Sequence, residues 1–413
     1  MVDRSGTFAS LRVHNYRLYA AGGLISNSGT WMGRVAQDWL VLTELTDHSA
    51  SALGIATGMQ FAPFLLLAPW SGMIADRFPK RRILLSTQLT LAVTNLLLGV
   101  LTVTGAVQLW HVYALALVQG LAQAVDNPAR QTFVSEMVGP GLLANAVALN
   151  SASFNSGRLI GPGVAGLVIA AYGTGVAMVV NSLSFVLLLV ALLAMRADEL
   201  QPAPLARGRG RIREGLVYVR GRTDIKVILV LVFVLGTFGM NFQITTALMA
   251  TQAFGKGPTE FGILGSIMAI GSLSAALLSA RRARPRLRVL LVALAGFTVA
   301  TGLAAVAPTY ELFALALIPC GLTALTALTT ANTLVQLSVD PAMRGRVMAL
   351  YMAIFLGGTP IGAPLIGRLG DWAGPRWTIG VGSVAVGLSV VIVGSWLVKR
   401  ENVDMLIRKR GRR

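Results

Sequence analysis

The sequence predicts an all-α membrane protein: 12 transmembrane helices in two pseudo-symmetric six-helix bundles. Three observations carry that prediction: the composition, the placement of the basic residues, and an internal repeat. Of 413 residues, 54% are hydrophobic and 13% charged, and the mean hydropathy is +0.68. A soluble domain carries about 25% charged residues. Uncharged apolar runs recur along the chain, each long enough for the roughly 20 helical residues that cross the hydrocarbon. The runs are continuously apolar rather than alternating, so helices and not a barrel satisfy the backbone in lipid.

The runs place helices in order. The first, 17–43, carries Arg34 and Asp38 inside it. The second, 51–75, is uncharged and stops where five of the next seven residues are charged. The third covers 83–105, and the fourth, 108–135, carries Asp126 and Arg130. The fifth, 142–171, carries Arg158, and the sixth, 173–195, ends at a segment with prolines, glycines and seven arginines, 196–222. After it come 224–254, 258–280, 288–307, 310–337, 343–370 and 376–398. No apolar region of signal-peptide type opens the chain, because Arg4, Arg12, His14 and Asn15 fall in its first fifteen residues. The first membrane helix is therefore expected to stay.

Basic residues alternate between the two ends of these helices. The N-terminus holds Arg4, Arg12 and Arg17; the 76–82 loop holds four bases, 281–288 five, 342–346 two, and the tail from Lys399 seven. The loops between them hold almost none, apart from Lys256, and Arg368 with Arg376. The positive-inside rule then places both termini in the cytoplasm of a multi-pass plasma-membrane protein. The net charge of +18 is explained by those loops and by anionic membrane lipid, so no nucleic-acid partner is expected.

The chain is also a duplication. At an offset of 201 residues, Val138 falls on Val339, Pro140 on Pro341, Phe154 on Phe355, Gly157 on Gly358, Gly161 on Gly362, Gly166 on Gly367 and Gly173 on Gly374. A weaker match at 208 puts Gly54-Ile55 on Gly262-Ile263. The expected units are a first bundle over 1–197, a cytoplasmic linker over 198–222, a second bundle over 223–398 and a basic tail over 399–413. Parallel six-span repeats suit a rocking transporter with its binding site between the halves.

The turn after the second helix, Gly72 to Arg82, resembles the signature of the major facilitator superfamily, Gly-x-x-x-Asp-Arg-x-Gly-Arg-Arg/Lys. Gly72, Asp76, Arg77, Lys80 and Arg81 fall on it, and Pro79 replaces a glycine. The resemblance implies a cytoplasmic gate in which Asp76 meets the positive N-terminus of the eleventh helix, near Met343-Arg344. The second half keeps only bases at the equivalent loop, so one such latch is expected. Gly157-Arg158-Leu-Ile-Gly161-Pro162-Gly-Val-Ala165-Gly166 resembles the antiporter motif of superfamily exporters, with Ala165 for one glycine. Small residues every four positions permit close helix packing, and Pro162 bends the helix. Arg12-x-x-Asn-Tyr-Arg17, Trp39-Leu-Val-Leu-Thr43, Asp126-Asn-Pro-Ala-Arg130 and Met343-Arg-Gly-Arg-Val-Met348 are similar to the bacterial siderophore and drug exporter branch, which includes enterobactin exporters and macrolide efflux proteins.

Charges inside helices point to coupling, since an ionised group near the bilayer centre is costly. Arg34 with Asp38, and Asp126 with Arg130, are spaced four apart and so share a helix face. In an exporter exchanging substrate for protons, a buried carboxylate titrates as the cavity alternates its exposure. Asp38 is the first candidate, with Arg34 beside it, and Asp126 with Arg130 the second. A structural salt bridge is the alternative for either pair. Helix 4 has Gln119-Gly120 but Ala116 where the proton-antiporter pattern Arg-x-x-Gln-Gly places its arginine, which puts coupling through that residue in doubt.

If the resemblance holds, helices 1, 4, 7 and 10 line the cavity. Its polar and aromatic residues are then Asn27, Trp31, Gln37, Gln119, Gln123, Asn241, Gln243, Thr329, Asn332 and Gln336, joined by Gln60 from helix 2. Such a lining suits a bulky amphipathic compound. The expected function is export of a small organic compound by proton antiport; an uptake transporter of the same fold is the alternative. The expected partners are a small-molecule substrate, protons and membrane lipids, and the expected state is a monomer. No cofactor is expected, and no Gly-x-x-x-x-Gly-Lys-Ser/Thr loop for ATP occurs. The three histidines, His14, His48 and His111, are scattered and offer no metal site. The single cysteine, Cys320, can form no intramolecular disulfide, and a membrane enzyme is correspondingly disfavoured.

Overall fold

The computed structural model describes residues 6–201, 212–280, 286–340 and 343–410, with the side chains at 68, 69, 72, 76, 212, 213, 280 and 398–410 outside that description. The described residues are almost wholly helical and contain no strand. Nine helical segments among them are long and apolar enough to cross a membrane. Two further helices, α1 (His14–Trp39) and α4 (Leu109–Met137), are 26 and 29 residues long. They carry the internal charges Arg34, Asp38, Asp126 and Arg130.

α2 (Ala50–Arg77) and α3 (Lys80–Val103) flank the short turn at Phe78 and Pro79. α5 (Pro140–Leu193) holds the expected fifth and sixth helices in one 54-residue element, interrupted at Gly173 with φ 84°. The chain reverses there. Along α1, residues 27 and 28 face Gly157 and residues 28 and 31 face Gly161, so that arm ascends with α1; Gly22 faces Leu188, Gly29 faces Ser184 and Gly33 faces Asn181, so the other descends. Glycine is required at 173 because a side chain is strained at positive φ. Gly374, its repeat partner, has φ 90° and separates α12 (Arg344–Ala373) from α13 (Pro375–Arg410).

The 196–222 segment, expected as linker, contains a short helix, α6 (Ile212–Arg220). It docks on the start of α12 through Arg346 and Glu214, 2.9 Å apart. The expected helix over 224–254 is less regular than predicted. α7 (Thr223–Val234) and α8 (Phe242–Leu248) are separated at Met240 and Asn241, and each runs into a π-helical turn. Such turns often mark functional sites. α9 (Pro258–Ala280), α10 (Leu287–Val306) and α11 (Tyr310–Ser338) complete the chain.

α1, α3 and α4 pack with α5, and α9, α10, α11 and α13 pack with one another; the two sets meet where α2 lies along α12 and α5 along α9. These two seams are related by the repeat. Gly54 faces the carbonyl of Ala363, and Gly262 faces that of Pro162, the residue 201 positions earlier. Gly367 faces Ala50 and Ser51, and Gly166 faces Pro258 and Thr259.

One large core runs across both seams, through Leu53, Ala165, Leu248, Phe261 and Ala363. A second core, built on Tyr16, Tyr19, Phe133 and Leu188, stays within the first half at the end that carries the termini. The halves are therefore knitted together at the rim far from the termini. Outward faces carry Val292, Val306, Val391 and Ile392 with about two thirds or more of their surface exposed, which suits lipid rather than water.

Candidate functional site

Helical spacing puts Asn27, Trp31, Arg34 and Asp38 in one stripe along α1, because residues three and four apart share a face. α1 can approach α5 closely because a Cβ on Gly157 would lie 2.8 Å from the backbone carbon of Asn27, and one on Gly161 2.6 Å from the carbonyl oxygen of Ser28. Glycine at both positions brings Arg158 beside the stripe. Two guanidinium groups then lie near the Trp31 ring, that of Arg34 5.0 Å and that of Arg158 5.6 Å from its centre. Arg34 also sits 5.5 Å from the Phe61 ring. Cations over aromatic faces are stabilised more strongly when desolvated.

A cavity with an empty volume of about 520 Å³ opens at this point between the halves. Trp31, Arg34, Asp38, Arg158 and Pro162 face Phe242, Gln243 and Thr246 across it. Asp38 is only 5% exposed. Arg34 Nη2 donates to Gln123 Oε1 at 3.1 Å, while its Nε is buried without a partner. A buried, unpaired donor or acceptor costs about 1–3 kcal/mol, so the unpartnered Arg34 Nε works against stability here.

A second cavity continues toward the end bearing the termini, lined by Asn27, Trp31, Phe61, Phe64, Gln123 and Phe154, with Asp126 and Arg130 at its wall. In the second half, Thr329, Asn332, Tyr351 and Phe355 line a third. Phe154 and Phe355 are repeat partners, so the duplication places one aromatic side chain in each.

The two carboxylate candidates differ in their surroundings. Asp126 Oδ1 accepts from Thr87 Oγ1 at 2.7 Å and from Gln88 Nε2 at 2.8 Å, and its Oδ2 accepts from Arg130 Nε at 2.9 Å. It is a satisfied, buried ion pair binding α4 to α3. Asp38 has no ion-pair or hydrogen-bond partner among the described residues. The two carboxylates thus differ in that Asp126 is bound on both oxygens and Asp38 is not.

Of the expected gate residues, the side chains of Gly72 and Asp76 lie outside the described residues. Lys80 pairs with Glu136 at 2.7 Å, both buried. Arg81 donates to the carbonyls of Leu192 and Leu193 at 2.9 and 3.1 Å, the favourable place for a cation at the C-terminal end of α5. Arg77 is exposed. Lys80 and Arg81 thus brace the first half itself.

The expected lining divides. Asn27, Trp31, Gln123, Gln243 and Asn332 reach cavities. Gln37, Gln60, Gln119 and Asn241 are buried, at 4–5% exposure, and line none of these three. Gln336 is exposed and donates to Asn332 Oδ1 at 2.6 Å. Sequence reasoning missed Phe61, Phe64, Phe154, Phe242 and Thr246. The Phe154–Phe355 match in the repeat was the signal that could have found one of them. Among the described residues no cluster of three or more His, Cys, Asp or Glu could hold a metal ion.

Comparison with known proteins matches residues 5–410 to the family of transmembrane secretion effectors. The chain is 28% identical to the multidrug efflux pump Tap of Mycolicibacterium fortuitum, over 91% of this chain and 93% of that one. It is 24% identical to the staphyloferrin A transporter of Staphylococcus aureus, over 88% and 91%, and 24% identical to the enterobactin exporter EntS of Shigella flexneri, over 87% and 85%. Among solved structures, a peptide transporter of the POT family superposes with TM-score 0.74 at 14% identity, covering 95% of this chain and 96% of that one. At that identity the likeness shows the fold alone.

Proposed function

The chain belongs to the transmembrane secretion effector family of major facilitator transporters, and from that premise we propose that it exports a small amphipathic compound, drug-like or siderophore-like, across the cytoplasmic membrane by proton antiport. It is a transporter and not an enzyme. Export is the direction of two of the named relatives, the efflux pump Tap and the enterobactin exporter EntS. The observation that carries the coupling is the buried, unpaired Asp38 at the cavity between the halves, four residues from an arginine whose Nε is also unpaired.

In this reading 1–197 and 223–398 are the two moving bodies, 198–222 joins them, and the basic loops place both termini in the cytoplasm. The cavities on the terminal side then face the cytoplasm, and the far rim is shut. Substrate enters from the cytoplasm and lays its apolar body against Trp31, Phe61, Phe64 and Phe154, with Gln123, Gln243 and Asn332 supplying hydrogen bonds. Asp38 releases its proton inward as substrate loads and recovers one from outside after the substrate leaves. Arg34 answers the changing charge of Asp38, which keeps either form tolerable in a site with little water. Asp76 and the start of α12 form the inner gate; Pro162 and Gly166 form the face that slides against α9, while Gly157 and Gly161 hold α1 and Arg158 together within the first body.

The test uses inside-out vesicles with an imposed pH gradient and a panel of fluorescent amphipathic compounds. The native chain should accumulate one or more of them. Asp38→Asn should abolish gradient-driven accumulation and leave binding measurable. Accumulation by Asp38→Asn at every pH would refute the coupling role, and accumulation only in vesicles of cellular orientation would refute export.

A further inference from the structure

The rim far from the termini carries a contact that neither the repeat nor the signature motif accounts for. α2 starts there with Ala50, and the first four N–H groups of a helix have no partner within it. Counted from the N-cap Ser49, two of the four are met within the first half: Ala52 N–H donates to Ser49 Oγ at 3.2 Å, and Ser49 N–H donates to Thr46 Oγ1 at 3.2 Å. The other two cross to the opposite half. Ala50 N–H donates to Asp371 Oδ1 at 2.7 Å, and Ser51 N–H to Asp371 Oδ2 at 2.9 Å.

Asp371 stands two residues before the end of α12. Its carboxylate faces the positive end of the α2 dipole and makes two charge-assisted hydrogen bonds at once. The approach is fitted closely, since Gly367 faces the carbonyl of Ala50 and a Cβ on Gly370 would lie 2.9 Å from the Ala50 Cβ. Gln252 Nε2 crosses the same rim to the carbonyl of His48 at 2.7 Å.

The symmetry-related seam has no such device. The residue 201 positions before Asp371 is Ala170. The helix that would be capped, α9, begins with Pro258, which has no N–H, and Glu260 of α9 itself accepts from Gly257 at 3.2 Å. One seam is closed by a charge; the other is closed by packing and by neutral hydrogen bonds, from Ser266 Oγ to the Leu159 carbonyl at 2.6 Å and from Thr259 Oγ1 to that of Gly166 at 3.4 Å.

We propose that Asp371 is the outer latch of the transporter: it holds the far rim shut while the cavity faces the terminal side, and parting of the halves requires it to release the N-terminus of α2. This rests on the alternating-access reading above. Asp371 is a positioning residue, because it sets the balance between two states without touching the central cavity. It stands at the opposite rim from Asp76, so the two carboxylates would act on alternate halves of the cycle.

The test measures distances between spin labels at Thr104→Cys and Pro308→Cys, exposed positions on opposite halves at the far rim, with Cys320→Ala as background. Loss of a helix-capping side chain is worth about 1 kcal/mol, so Asp371→Ala should raise the ratio of rim-open to rim-closed populations roughly fivefold. Ser51→Pro removes one of the two donors at a first-turn position where proline is tolerated, and it should shift the ratio the same way by less. Unchanged distributions in both variants, each folded, would overturn the latch. If the native populations respond to substrate while neither variant moves them, the latch alone fails. If the native chain transports with one invariant rim distance, alternating access fails with it.

Discussion

The two halves of the molecule share a scaffold and differ in chemistry. Gly173 and Gly374 make the same positive-φ break, and Gly54 and Gly262 receive carbonyls from Ala363 and Pro162, themselves repeat partners. Yet Arg34, Asp38, Asp126, Arg130 and Arg158 all lie within helices of the first half. In the second, charges keep to the helix ends, as at Asp224, Glu260, Glu311 and Asp371. The buried polar residues there are mostly hydroxyls, several of which bond to the preceding turn, as Thr246 does on Phe242 at 2.6 Å and Thr301 on Phe297 at 2.7 Å. Packing volume is set by geometry and is needed twice; in the proposed antiport a proton-exchanging carboxylate is needed once.

That contrast can be broken or sharpened by substitution. The largest stability effect is expected at Asp126→Ala, which leaves the largely buried Arg130 without its acid and strips Thr87 and Gln88 of their acceptor; breaking a buried pair costs about 3–5 kcal/mol. Thermal unfolding in detergent measures it, and Thr330→Ala in the second half, removing only a hydroxyl, should cost less than half as much. An equal loss at both would erase the distinction between a charged half and a neutral one. Next come Gly161→Ala and Gly362→Ala. Each places a methyl against a backbone carbonyl, of Ser28 and of Thr237 respectively, and each should cost about 1–3 kcal/mol as overpacking. Similar losses would support a scaffold duplicated in packing; tolerance at one glycine alone would break the symmetry. The smallest effect belongs to Arg346→Ala. Its pair with Glu214 is partly exposed, and surface pairs contribute about 0–1 kcal/mol. A larger loss would show that α6 is integral to the second bundle.

Much of this contrast is legible in the chain, because it concerns residue type and spacing. The internal charges, the small-residue run at 157–166 and the break at Gly173 all follow from local pattern. The pattern does not tell which face of a helix meets a cavity. Gln37 and Gln119 are as polar as Gln123, yet only Gln123 reaches the space between the halves. Nor does it tell Asp38 from Asp126, since each has an arginine four residues away. Thr87 and Gln88, on a neighbouring helix, make the difference. The break at Met240 and Asn241 was equally hidden inside a run that reads as one helix.

The sequence by itself determined that the chain spans a membrane, that its second half repeats its first, and where the charges sit along each helix. Those are properties of short segments in lipid, where apolar length and backbone satisfaction leave few choices. Only the tertiary structure decided which charges are paired, which amides face a cavity, and that Asp371 caps a helix 320 residues earlier. Each depends on the rotation and offset of helices distant in the chain, and those are set by the mutual fit of side chains and glycine gaps across the seams rather than by any one segment.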